Sequence, residues 1–220
     1  MPERHLIVID GLDGSGKATQ TALLAEYFQS KGIPVRQVTF PDYNSRSSEL
    51  VKMYLNGEIS NNPEDINAYG AAGFYASDRY ISYLTDWGKD YQRGTLILCD
   101  RYVSSNAIHQ MVKLQEKDWD SFLDWLQDYE YDKLGLPRPD QILYLDMHPD
   151  VSQKLLSARY QGDNSKKDIH ESNLNYLLNC RKAALYAAEK LGWTVIPCSD
   201  SQQPYTIETI SEQIKRIIGK

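Results

Sequence analysis

Leu6-Ile7-Val8-Ile9-Asp10-Gly11-Leu12-Asp13-Gly14-Ser15-Gly16-Lys17-Ala18-Thr19 carries an apolar, β-branched run through a glycine-rich turn into a helical pattern. This is G-x-x-x-x-G-K in its meaningful context, a strand, then the turn, then a helix start. The glycines let the backbone fold closely enough for several N–H groups to converge on one phosphate. The helix adds the positive end of its dipole, and Lys17 adds a full charge toward the β- and γ-phosphates. Residues 11–19 (Gly11, Leu12, Asp13, Gly14, Ser15, Gly16, Lys17, Ala18 and Thr19) therefore read as an ATP-binding phosphate loop. One position departs from the pattern. The slot after the lysine, usually a hydroxyl for Mg²⁺, is Ala18, and Thr19 comes one residue late.

Outward from this loop the chain alternates. Apolar runs at Leu6–Asp10, Val35–Phe40, Thr95–Asp100, Gln141–Asp146 and Trp193–Pro197 suit parallel strands covered on both faces. Helical patterns fill the gaps: Lys17–Ser30, Ser47–Asn56, Pro63–Lys89, Ser104–Gln115, Asp118–Leu134, Asp150–Arg159 and Ile169–Leu191. A last helix is marked by Ile207, Ile210, Ile214 and Ile217, with Thr206 as its cap. The expected fold class is α/β, a five-stranded parallel sheet flanked by helices with right-handed crossovers. Ligands of such sheets lie beyond the carboxyl ends of the strands, here Asp10-Gly11, Phe40-Pro41, Asp100-Arg101 and Asp146.

The 220 residues form one expected domain, 1–220, without repeat, linker or charge block. A net charge of −6 argues against nucleic acid as a partner, but not against nucleotides, which need only a local cationic cluster. No apolar stretch is long enough to span a bilayer, and no basic segment precedes Leu6–Ile9 as in a signal peptide. Three cysteines without metal-ligand spacing read as reduced thiols. The expectation is a cytoplasmic protein with no membrane contact.

A second constellation follows the third strand. Asp100 reads as a carboxylate for Mg²⁺ or its waters, and Arg101 as a bidentate phosphate ligand. Arg79 lies one helical turn past Tyr75, which puts an aromatic face and a guanidinium on one side of a helix. Stacking a base while gripping its phosphate uses that pairing; a core tyrosine beside a solvated arginine shows the same spacing.

Taken in order, the motifs resemble the thymidylate kinase family of nucleoside monophosphate kinases. They are the loop Gly11–Thr19 with Asp13 inside it, Phe40-Pro41, Phe74–Arg79, Asp100-Arg101-Tyr102 with its Ser-Asn-Ala tail, Leu136-Pro137-Arg138-Pro139-Asp140, and a basic, lid-like segment at 159–171. The resemblance covers nearly the whole chain. It implies a three-layer P-loop NTPase fold with a short lid, Mg²⁺- and ATP-dependent conversion of dTMP to dTDP, and a homodimer. It assigns Asp13 to the sugar 3′-hydroxyl, Tyr75 to stacking on the base, and Phe40 and Tyr43 to the same pocket. Arg79 and Arg101 are assigned to the acceptor phosphate, and Ser105, Asn106, His109 and Gln110 to the helix that reads the base edge. His109 stands where relatives often carry an aromatic.

Two further departures matter. Phe40-Pro41-Asp42-Tyr43 lacks the arginine of the family's F-P-x-R, with Arg46 further along the loop. Gly14 stands where some relatives place a catalytic arginine, which turns attention to the lid cations Arg159, Lys166 and Lys167; a solvated charged loop would look the same. Two rivals remain at this level. One is a related nucleotide or deoxynucleoside kinase with another acceptor. The other is a nucleotide-binding regulatory protein without turnover, for which Ala18 is the best support.

Overall fold

The computed structural model describes residues 5–60, 62, 65–159, 174–200 and 202–219. Five strands, β1 (Leu6–Gly11), β2 (Val35–Thr39), β3 (Leu96–Asp100), β4 (Gln141–Asp146) and β5 (Thr194–Pro197), form one parallel sheet in the order β2-β3-β1-β4-β5. Strand alternation divides the core between two faces. Leu6 and Val8 point into a cluster with Ile97, Cys99, Ala107 and Ala184, while Ile7 and Ile9 point into one with Leu24, Phe28, Ile210 and Ile214. Leu6, Ile7, Val8 and Ile9 are all fully buried, which is why this strand opens as an unbroken apolar run.

Helices α1 (Lys17–Ser30) and α9 (Ile207–Ile218) cover the second face; α5 (Ser104–His109), α6 (Trp119–Gln127) and α8 (Leu174–Leu191) cover the first. The remaining helices are α2 (Glu49–Leu55), α3 (Ala68–Ser82), α4 (Gly88–Gln92) and α7 (Pro149–Arg159). Thr206 caps α9 as expected, accepting from the Thr209 amide at 3.1 Å. Among the described residues no helix is long and apolar enough to cross a membrane, and the three cysteines are free and buried.

Several helices are shorter than their sequence patterns. The stretch expected at Pro63–Lys89 begins only at Ala68, because Asn67 caps it by accepting from the Gly70 amide at 2.8 Å. It then widens into a π-helical turn, Tyr83–Trp87, before α4. Gly88 closes that turn: a Cβ there would stand 2.3 Å from the Tyr83 carbonyl oxygen. The Ser104–Gln115 pattern stops at His109 and tightens into a 3₁₀ turn, Met111–Lys113, which drives Met111 into the core. The Asp118–Leu134 pattern divides into α6 and a second π-helical turn, Asp128–Lys133. Of the expected lid, Arg159 ends α7, while 160–171, with Lys166 and Lys167, lie outside the described residues, as does the start of the Ile169–Leu191 pattern.

Candidate active site

Sheet register assembles the site. Asp100 is the β3 partner of both Ile9 in β1 and Thr39 in β2, so the three strands end side by side. The Arg101 amide donates to the Ile9 carbonyl, and the Phe40 amide to the Asp100 carbonyl, both at 3.0 Å. The phosphate loop, Phe40 and Asp100-Arg101 therefore leave the sheet along one edge and border one cavity of about 740 Å³.

The loop is shaped by what its glycines lack. Gly11 has no room for a side chain, since a Cβ would meet the Leu145 carbonyl oxygen at 2.9 Å. Gly14 has φ +79°, and a Cβ there would press on the Ser152 carbonyl (3.0 Å) and Leu156 (3.1 Å) of α7. Helix α7 thus lies directly against the loop at Gly14. Unlike α3 and α9, α1 starts without a side-chain cap, at Gly16, which leaves its first amides for an anion. Ala18 and Thr19 face outward on this first turn and line the cavity.

Lys17 is buried, with Nζ donating to the Leu12 carbonyl at 2.9 Å and lying 3.7 Å from Asp13 Oδ1. Burial and Arg101 depress its pKa, against the pull of Asp13, Asp100 and Asp10. Arg101 ion-pairs with Asp13 and donates from Nη1 to His109 Nε2 at 3.2 Å, so this histidine nitrogen is an acceptor. Burial alone would raise Asp13, but Arg101 and Lys17 hold its carboxyl well below the usual range. Burial likewise opposes the Arg101 charge, and Asp13, Asp10 and Asp100 more than restore it. Arg101 has φ +67°, a left-handed conformation unusual for a side chain of this size, of the kind held at functional sites. Behind it, buried Asp10 accepts from the hydroxyls of Ser104 (2.6 Å) and Ser105 (2.8 Å), which fixes the start of α5.

Asp100 lines the cavity, and its carboxylate takes no hydrogen bond from any described residue. Burial raises its pKa, and Asp10 and Asp13 add to this, only partly countered by Lys17 and Arg101. Such a carboxylate suits a hydrated divalent cation shared with phosphates. Among the described residues no three acidic, histidine or cysteine side chains form a metal cage, and Mg²⁺ does not need one.

The rest of the cavity is a flat, mixed pocket. Tyr75, Phe40 and Tyr43 contribute rings, and Phe40 rests on Tyr102 with centroids 6.0 Å apart. Gln110 is buried, and its Oε1 has no partner among the described residues. Arg46 is exposed in a 3₁₀ turn and is not part of this wall. Asp146 is occupied otherwise, bound by Arg181 Nε and Nη2 at 2.6 and 2.7 Å.

Arg79 differs from its expected setting. It lines the cavity, but Nε and Nη2 bind Glu130 at 2.7 and 2.6 Å in a fully buried pair. Burial opposes the Arg79 charge and Glu130 restores it. An arginine neutralised in this way presents spare N–H groups rather than a net charge. Sequence reasoning passed over Glu130 because the run Asp128-Tyr-Glu-Tyr-Asp132 looks like an exposed polar turn. The available signal was spacing: Leu123 and Leu126 are buried, and Glu130 continues that stripe four residues on.

A profile described as thymidylate kinase matches residues 9–213. The chain belongs to the thymidylate kinase family. It is 31% identical to a thymidylate kinase of Mycobacterium tuberculosis over 186 residues, covering 83% of this chain and 84% of that one. It is 30% identical to one from Plasmodium falciparum over 76% of this chain and 74% of the relative. A solved thymidylate kinase from Candida albicans has the same fold, with TM-score 0.70 at 20% identity, covering 98% of this chain and 92% of that one.

Proposed function

We propose that this chain transfers the terminal phosphoryl group of ATP to dTMP, giving dTDP and ADP. The observation that carries this reading is one cavity in which the phosphate loop, the Arg101–Asp13 pair and an aromatic pocket meet. The loop amides and Lys17 hold the donor phosphates, and Ala18 and Thr19 lie at the same helix start. Arg101, aimed by His109 and Asp13, holds the acceptor phosphate, and Asp13 also faces the sugar hydroxyl. Tyr75 stacks on the base between Phe40 and Tyr43. Asn106 meets the base edge, with Ser105 and Gln110 beside it. Arg79, its charge met by Glu130, serves a base carbonyl instead of the phosphate expected from sequence.

Asp100 would hold Mg²⁺ together with the phosphates, and the ion would supply charge neutralisation as phosphoryl transfer proceeds. The protein's share is positioning and electrostatics in a site from which water is excluded. The lid cations Arg159, Lys166 and Lys167 are proposed to complete the positive field, because α7 lies where an arginine at position 14 would stand. The proposed setting is the cytoplasm and the proposed assembly a homodimer. Ile81 and Leu84, one turn apart, and Leu50 and Met53 on the neighbouring α2 are exposed apolar side chains available to a second copy.

Coupled ADP release with dTMP, dUMP, dCMP, dGMP and thymidine tests the reading. dTMP should drive turnover and thymidine should not, since the site offers arginine for a phosphate. Lys17→Ala should fold normally and lose about 100-fold or more in rate. No dTDP at saturating ATP, dTMP and Mg²⁺ would overturn the assignment.

A further inference from the structure

Glu130 touches no part of the cavity, yet it governs two side chains that do. It is fully buried and sits in the π-helical turn Asp128–Lys133, a widened turn of the kind frequent at functional sites. Its carboxylate binds Arg79 twice, and Oε1 also accepts from Asn106 Nδ2 at 2.9 Å. The same Nδ2 donates to the Ala72 carbonyl at 3.1 Å. Both acceptors lack hydrogens, so the Asn106 amide has only one satisfiable orientation. Its two N–H groups face Glu130 and Ala72, and its Oδ1 is left for the cavity wall to which Asn106 belongs. For Arg79, the Glu130 contacts consume Nε and one hydrogen of Nη2, leaving Nη1 without a partner among the described residues.

We propose that Glu130 is a positioning residue that fixes base selectivity, by presenting Arg79 as a donor and Asn106 as an acceptor. The proposal rests on the dTMP reading above. Thymine carries a carbonyl at position 4 and a hydrogen on N3, which complement this order. Cytosine carries an amino group and a bare ring nitrogen, which oppose it at both places. A carboxylate offers acceptors only; an amide in its place offers one acceptor and one donor group. In Glu130→Gln the amide nitrogen must face a donor of Arg79 or Asn106, so the presentation of both is loosened and Asn106 is held by the Ala72 carbonyl alone.

The experiment is steady-state kinetics of the full-length protein with dTMP, dUMP and dCMP. Wild-type turnover of dTMP tests the underlying reading independently of Glu130. In Glu130→Gln, the dTMP-over-dCMP ratio of kcat/KM should fall about tenfold or more, the worth of one base-edge hydrogen bond. The dTMP-over-dUMP ratio should hold, because uracil shares the same edge, and the ATP KM should not move. Glu130→Asp, which is still an acceptor only, should keep the dTMP-over-dCMP ratio even if overall kcat/KM drops. A residue that merely supports the fold would lower both pyrimidines equally in both variants, and that outcome overturns the proposal. If Glu130→Gln does not fold, Asn106→Ala removes the oriented acceptor while keeping the Arg79 pair. An unchanged dTMP-over-dCMP ratio there also overturns it.

Discussion

Arg101 combines three observations: left-handed backbone, an ion pair with Asp13, and a histidine nitrogen as a further acceptor. Removing it takes away a charge-assisted contact and leaves Asp13 beside Lys17 alone. Arg101→Ala should raise the dTMP KM by roughly ten- to a hundredfold, from about 1.5–3 kcal/mol, with the ATP KM less affected. Initial-rate measurements with each substrate varied check this, and a change confined to ATP would refute acceptor-side placement. Asp13 gives a pH prediction. Its folded pKa is depressed below the ordinary 3.8, so the charged form is favoured by folding. The stability it confers is therefore complete above 3.8 and lost as pH falls through the lower folded value. Urea unfolding should show a constant difference between wild type and Asp13→Asn from neutrality to about pH 5, shrinking in stronger acid. A difference that grows on acidification would contradict the ion pair.

The elements divide by how local their causes are. The glycine-rich turn and its Lys17 were legible because strand, turn and helix start each have a local sequence signature; β1, β3 and β4 were legible as apolar runs, and the edge strand β2 (V-R-Q-V-T) by its β-branched residues. The helix ends were not. The stop after His109 depends on Met111 finding the core, and the two π-helical turns depend on tertiary seating of Trp87 and Glu130. Arg79 and Tyr75 at helical spacing were plain to read, but the partner of Arg79 lies 51 residues away, marked only by its place on the stripe of Leu123 and Leu126. The motif Leu136–Asp140 also turns out to brace the fold. Pro137 accepts from the Tyr102 hydroxyl, and Asp140 accepts from the His5 and Leu6 amides to pin the start of β1. Between loop and helix, Gly14 is the tightest point. Gly14→Ala adds a Cβ at positive φ against α7, which should cost about 1–2 kcal/mol from the backbone alone. Thermal unfolding measures this, and a stability equal to wild type would contradict the left-handed backbone at Gly14.

On the scale of the whole molecule, one sheet buries its two faces under helices, while α2, the end of α3 and the π-helical turn after it keep apolar side chains in solvent. Ile81 is 43% exposed and Leu84 57%. Sedimentation should therefore find a species of twice 25.2 kDa. Ile81→Asp combined with Leu84→Asp should shift it to monomer without unfolding, and a wild-type monomer at micromolar concentration would reject this face. A different consequence follows from Asp100 being the common β3 partner of Ile9 and Thr39. The three strand ends are counted from one datum, so the residue count between Leu6 and Gly11, or between Leu96 and Asp100, is as much a specification as the side chains themselves. A single deletion there would exchange the two faces of a strand and turn Arg101 away from Asp13. No strand is counted from the turn at 56–60, so residues can be gained or lost there without shifting the site. In such a chain, length is free to drift in the turns and is fixed in the sheet.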